Sequence, residues 1–376
     1  MLRVLYVIDT LEVGGSERSI LDIASTCQGI TPFVCRLYPG NTLEPEFTKR
    51  NIPVHAFDIP AKYGWPTAVR RLRRLIRRLK PDVVHTTLFR SDVAGRIAAR
   101  LEGVPVVSSF VNENYGDNHR QHLSRVGLLK NRGVQAIDFA TSRLVDRFAA
   151  NSATMRTAHV DALRLPAERI DVIYRGRRPD KFDVAPEDAQ RIVDELNLAN
   201  KRVITMVARL LRRKAQADLI EAVRGLVVDH PEVVLLIVGD GPDRPHVEAA
   251  ARGADWVRLL GARRDVPAVL AASHVFVSTS EYEGHPGAVV EAMLAGKAVV
   301  LSDIDVHTET IDDGRTGRIF RLHDITALRA VLRALIEDPA RASALGVAAR
   351  EEARRRFDIE RIAEEHVALY HRVARR

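Results

Sequence analysis

Two glutamates, Glu283 and Glu291, flank a Gly-His-Pro-Gly segment within Ser280–Met293. The apolar run His274–Ser278 before them reads as a strand, and the residues from Gly287 onward read as a helix. That places Glu283 on a loop and Glu291 about one turn into the helix. The N–H groups of Gly287, Ala288 and Val289 then fall in the first turn, which has no acceptors within the helix and attracts anions. A phosphate-bearing ligand at this mouth would bring one of its hydroxyl-rich ends to Glu283 and the other to Glu291. Pairs of glutamates at this spacing are common in helices. A strand before them and a proline–glycine turn between them are not.

Cations follow another strand. Arg202–Val207 runs into Ala208-Arg209-Leu-Leu-Arg-Arg-Lys214 and then a helix. Arg209 and Lys214 therefore stand at the C-terminal edge of a parallel sheet, where open α/β folds bind ligands. Arg212 and Arg213 in the same stretch also fit plain solvated charge. Leu236-Ile-Val-Gly239-Asp-Gly241-Pro242 reads as a strand, a glycine turn and a helix with Pro242 at its first position. A close approach to a nucleoside and an ordinary turn fit it equally. Near the start, Gly14-Gly15-Ser16-Glu17 follows the first strand and opens a helix at about Ser16, so the backbone is accessible to an anion. This is not a dinucleotide fingerprint. The third glycine is missing, and Tyr38-Pro39-Gly40 stands where an acidic residue would close the second strand.

Short apolar runs alternate with helix-period segments, the pattern of parallel α/β sheets. In the first half the strands are expected at Arg3–Ile8, Phe33–Tyr38, Val54–Asp58, Asp82–Thr86, Val104–Phe110, Arg147–Asn151 and Asp171–Tyr174. The pattern restarts with Arg202–Val207, Val233–Val238, Val257–Leu260, His274–Ser278 and Ala298–Ser302. The polar stretch Arg175–Glu187, with Pro179 and Pro186, is the expected linker. The tail Ala340–Arg376 is helical in composition but interrupted at Phe357-Asp358, where Asp358 can cap a last helix. At 376 residues the chain is long enough for two cores. No apolar run approaches the roughly 18 residues that cross a bilayer. Met1–Asp9 is too short for a signal peptide and reads as a buried strand, so a cytoplasmic location is expected. Cys27 and Cys35 form neither a metal set nor a disulfide framework and read as reduced packing residues.

Taken in order, these motifs resemble those of glycosyltransferase family 4 over nearly the whole chain. The matching pieces are Gly14-Gly15-Ser16-Glu17, Val207-Ala-Arg209…Lys214, Gly239-Asp-Gly-Pro242 and Glu283-Gly-His-Pro-Gly…Glu291-Ala-Met. The resemblance implies the GT-B fold, two Rossmann-like domains facing each other across a cleft with a C-terminal helix crossing back. The acceptor domain would be 1–178 plus 357–376, and the nucleotide-sugar domain 179–356. It implies a retaining transferase that moves a hexosyl or N-acetylhexosaminyl group from a nucleotide-diphosphate sugar, UDP favoured over GDP, to a saccharide or lipid-linked acceptor. Arg209, Lys214 and Glu283 would be catalytic. Gly15, Gly239, Gly241, Gly287, Ala288, Val289 and Glu291 would join them around the donor, with Glu283 on the sugar and Glu291 on the ribose. No metal or other cofactor is implied. The one clear Asp-x-Asp, Asp303-Ile-Asp305, falls in a loop that borders the acceptor cleft.

Three departures from the family pattern stand out. Ser108-Ser-Phe-Val-Asn112-Glu-Asn-Tyr115 carries no histidine at the strand end where relatives place one, leaving Asn112, Tyr115 or His119 for that polar role. Ala215 follows Lys214 where glycine is usual. Tyr174-Arg-Gly176-Arg-Arg replaces the customary Asn-Gly-Val-Asp hinge.

Val69–Leu79 carries Arg70, Arg71, Arg73, Arg74, Arg77 and Arg78 opposite an apolar stripe. An outer helix with solvated arginines accounts for this. So does the same helix lying against anionic lipid, with Arg70, Arg73, Arg74 and Arg77 on the membrane at the inner face of the cell. The net charge of +8 favours an anionic partner of some kind. Nucleic acid is disfavoured, because no aromatics interleave the arginines and no binding motif appears. Among enzymes, the alternative is a non-hydrolysing sugar-nucleotide epimerase of the same fold.

Overall fold

The computed structural model describes residues 1–60, 64–112, 115–116, 120 and 124–375. They form two units, Met1–Gly176 with Ile359–Arg376, and Arg177–Asp358.

The first unit is built on β1 (Leu2–Ile8). From Val4 to Ile8 its residues are apolar without interruption because both of its faces are covered. Leu5 and Val7 enter the core on one side, and Val4, Tyr6 and Ile8 the core on the other. β2 (Ile30–Arg36), β3 (Val54–Ala56), β4 (Val83–Thr87), β5 (Val106–Phe110), β6 (Arg147–Ala150) and β7 (Ile170–Val172) complete a parallel sheet in the order β3-β2-β1-β4-β5-β6-β7. The chain returns in the helix Ile359–Ala374, which packs on Gly15–Thr26 and beneath β4 and β5. The Tyr370 hydroxyl on this helix shares hydrogen bonds with His85 Nδ1 (2.7 Å) and the Tyr6 hydroxyl (3.1 Å).

The second unit holds β8 (Arg202–Val207), β9 (Val233–Val238), β10 (Val257–Gly261), β11 (Val275–Ser278), β12 (Ala298–Ser302) and β13 (Arg318–Phe320). They are parallel in the order β10-β9-β8-β11-β12-β13. The strand order reverses between β8 and β11, so the loops after these two strands meet at the topological switch point.

Several boundaries differ from the sequence expectation. β2 starts three residues earlier, at Ile30, and contains Pro32. The proline is tolerated because β3 pairs only with Val34–Arg36, so one edge of β2 has no strand to bond at Pro32. β13 was not expected; three residues at a sheet edge leave too short a pattern to read. The helix expected at Pro242 begins at Arg244, with Pro245 in its first turn. Asp358 lies between the two tail helices, Pro339–Phe357 and Ile359–Ala374. Asp303 accepts the Leu322 N–H (2.8 Å), and Asp305 opens a short helix. Among the described residues, no helix is long and apolar enough to cross a membrane.

Candidate functional site

The loop after β8 and the loop after β11 are joined by hydrogen bonds to the main chain of the first. Glu281 N–H donates to Arg213 O (2.8 Å), and Thr279 Oγ1 to Lys214 O (2.7 Å) and Ala215 O (2.9 Å). To make this approach the chain turns at Ala215, whose φ of +47° is left-handed. A non-glycine residue held there costs about 1–2 kcal/mol, which gives the usual glycine a physical reason.

At this junction Lys214 and Glu283 form an ion pair with both side chains nearly buried. Arg213 is 3.4 Å from the same carboxylate, and Ser280 Oγ donates to it at 2.9 Å. Burial alone would raise the Glu283 carboxyl, but the charges of Lys214 and Arg213 and the Lys214 hydrogen bond overcome it and hold the group at about 2. Lys214 is pushed down by burial and by Arg213, against the pull of Glu283. Behind them sits His307, fully buried and pushed by that burial down to about 4. Its neutral ring donates from Nδ1 to Ser302 O (3.0 Å) and faces Ser278 Oγ through Nε2 (3.4 Å).

Sequence reading took Arg213 for a bystander. In the structure it donates to Tyr282 O (2.8 Å), packs over the Tyr282 ring (5.0 Å) and shares Glu283 with Lys214. Ser280 and His307 join the same cluster. A serine two residues after a strand, or a histidine in a later helix, carries no signal until the strands are laid side by side. Arg209 is exposed, with no ion pair to a described residue, and its carbonyl accepts from Gln216 Nε2 (3.1 Å).

Glu291 lies on the helix Gly287–Leu294, which opens directly after this loop. Its carboxylate is occupied by Arg177 Nε at 2.8 Å, a contact with no sequence signal. The open helix mouth expected at Gly287, Ala288 and Val289 needs correction. Gly287 N–H bonds back to His285 O (2.9 Å) and Val289 N–H to Pro286 O (3.0 Å). Only the Ala288 N–H lacks a backbone partner among the described residues, because the Pro286 turn tightens the first residues onto themselves.

The glycines of the next loop also have an internal reason. A Cβ at Gly239, where φ is +137°, would lie 1.9 Å from Ala208 O, and one at Gly241 2.3 Å from Leu210 O. Glycine is demanded there by the neighbouring turn that carries Arg209, whatever else approaches.

In the first unit, Gly15 begins its helix and has the Arg175 guanidinium against it, where a Cβ would come within 2.6 Å. Asn112 is exposed. Tyr115 is not available for a ligand: it is buried, and its hydroxyl donates to Asp138 (2.8 Å). His119 lies outside the described residues. On the helix Trp65–Leu79 the arginine face is divided. Arg73 and Arg77 both pair with Glu102 (2.5 and 2.7 Å), whereas Arg70, Arg74 and Arg78 stand exposed in one row.

Two doubly wound parallel units, with cations and glutamates gathered at a switch point of the second, are the architecture of the GT-B fold. Two family models divide the chain between them: Glycosyltransferase Family 4 matches residues 13–181, and Glycosyl transferases group 1 matches residues 188–352. The chain belongs to glycosyltransferase family 4. It is 29% identical to an alpha-maltose-1-phosphate synthase of Mycolicibacterium smegmatis, over 78% of this chain and 79% of that protein. It is also 29% identical to the Escherichia coli UDP-Gal:alpha-D-GlcNAc-diphosphoundecaprenol alpha-1,3-galactosyltransferase, over 71% and 69%. The solved structure of Anabaena HepE in complex with UDP and glucose superimposes with a TM-score of 0.84 at 24% identity, covering 98% of this chain and 99% of that one.

Proposed function

We propose that this glycosyltransferase moves a hexosyl or N-acetylhexosaminyl group from a UDP-sugar to a saccharide or lipid-linked saccharide acceptor, with retention of anomeric configuration and without a metal. The observation that carries the reading is the buried Glu283 carboxylate, kept ionised between Lys214 and Arg213 beside the Gly287–Leu294 helix. Cleaving a sugar–phosphate bond builds negative charge on the departing diphosphate and positive charge on the sugar. Lys214 and Arg209 would neutralise the first, and Glu283 would accept the sugar hydroxyls next to the second. Glu291 would receive the ribose. The relative that acts on an undecaprenol-linked sugar and the UDP-bound neighbour support this donor and acceptor class.

A proton NMR time course of UDP-glucose, UDP-galactose and UDP-N-acetylglucosamine with lipid-linked and free saccharide acceptors tests the reading. The expected product signal is the small H1–H2 coupling of an α-linkage. A β-linked product, or an epimerised donor without transfer, would overturn it.

The exposed row Arg70, Arg74 and Arg78 would hold the enzyme on anionic lipid, each arginine contributing up to about 1 kcal/mol near the surface. Co-sedimentation with phosphatidylglycerol-containing liposomes should fall sharply when these three become glutamine. An unchanged pellet, or no binding by the wild type, defeats the membrane assignment and leaves the transferase reading untouched.

A further inference from the structure

The Arg177–Glu291 pair sits at an electrostatically awkward place. The guanidinium lies over the start of the helix Gly287–Leu294, where a Cβ on Gly287 would come 2.3 Å from its Nη2. A helix N-terminus carries roughly half a positive charge, so a cation parked there is repelled by the helix itself. Glu291 holds it in place through Nε, with side-chain exposures of only 12% and 24%. Its main chain is pinned as well. Arg177 N–H donates to Phe357 O (2.8 Å), and Arg177 bridges in register with Asp358. A guanidinium fixed at both ends against a like-charged helix mouth is arranged for an anion that both can share.

The helix alone offers little to that anion, since the Gly287 and Val289 N–H groups are engaged by His285 and Pro286. We propose that Arg177 is a donor-binding residue that takes the phosphate next to the ribose, with Glu291 serving both to orient its guanidinium and to accept a ribose hydroxyl. This rests on the donor reading above and names a ligand that the family hinge pattern does not provide. Arginine suits the task because its planar fork grips one oxyanion with two N–H groups while Nε stays on the carboxylate. It also explains glycine at 287: any side chain there would displace the guanidinium.

The test is a binding comparison by NMR titration and calorimetry on the full chain, using UDP, UMP and uridine. Arg177→Gln should weaken UDP and UMP at least tenfold and uridine less than twofold, and Arg177→Lys should recover part of the loss. Gly287→Ala keeps the charge but occupies its seat, and alanine is at home in a first helical turn. It should reproduce the phosphate-selective loss, so the conclusion does not depend on one variant folding. Equal losses for UDP and uridine would reduce Arg177 to a support for Glu291 and overturn the proposal, as would unchanged UDP binding in either variant. Should the wild type bind neither UDP nor GDP, the donor reading itself falls, and this inference with it.

Discussion

Lys214→Ala is expected to lower turnover about 100- to 1,000-fold, the usual loss when one fixed donor to a developing negative charge is removed. Glu283→Gln should lose activity on the same scale while keeping the shape of the loop. In the folded chain Lys214 has Glu283 as its partner, so the ammonium is already aimed and partly desolvated before any phosphate arrives. On the proposed reading, pairing with the donor would replace one buried anion contact with another and need little reorganisation. Arg213 and Ser280 still contact Glu283 when the lysine is gone, so the variant should fold, which a thermal melt will verify. Steady-state rates with saturating donor are the readout. Near-wild-type turnover in both variants would remove the switch-point cluster from the mechanism.

The sign of the Glu283 shift adds a pH expectation to the same experiment. Its folded value of about 2 lies below its ordinary 4.5. The pair's contribution to stability is therefore complete above about 4.5 and is lost as the pH falls from there through about 2. In the folded chain Glu283 is therefore held as the carboxylate by Lys214 and Arg213.

The second large effect is on stability. Arg96→Leu should destabilise the first unit by about 3–5 kcal/mol, because removing one partner of a buried ion network leaves the others uncompensated. Arg96 is fully buried under β5. It bonds Asp138 (2.5 Å), Thr141 Oγ1 (3.1 Å) and Ser108 Oγ (3.0 Å), and lies 3.6 Å from Asp92. Burial pushes Asp92 up to about 7, even with Arg96 pulling it down. A carboxyl raised in this way contributes stability that is fully present below about 4 and is lost as the pH rises through about 7. Without the guanidinium the penalty for ionising Asp92 grows. Urea unfolding should therefore show a larger deficit for Arg96→Leu at pH 8 than at pH 5. Equal deficits at both pH values, or a loss below about 1 kcal/mol, would show that the network is not held together by this charge.

Sequence alone determined a good deal of this protein. Strands buried on both faces are mostly apolar runs, so β1, β8, β9 and β12 were legible within a residue or matched outright. Glu283, Glu291, Arg209 and Lys214 stood out because a strand, a turn and a helix start can each be read locally, and local order fixes which residues end at a sheet edge. Only the tertiary structure decided which of those residues meet. Lys214 and Glu283 are 69 residues apart in the chain, and Arg177 and Glu291 114 apart. Their pairing follows from β11 lying next to β8 and from Arg177 being pinned to the end of Pro339–Phe357. The same reason turned Tyr115 from a candidate ligand into a partner of Asp138, and gave Gly239 and Gly241 a neighbouring backbone to accommodate. Periodicity and turn chemistry are properties of a few consecutive residues. Charge pairing and close approach depend on strand order, which no short stretch of chain contains.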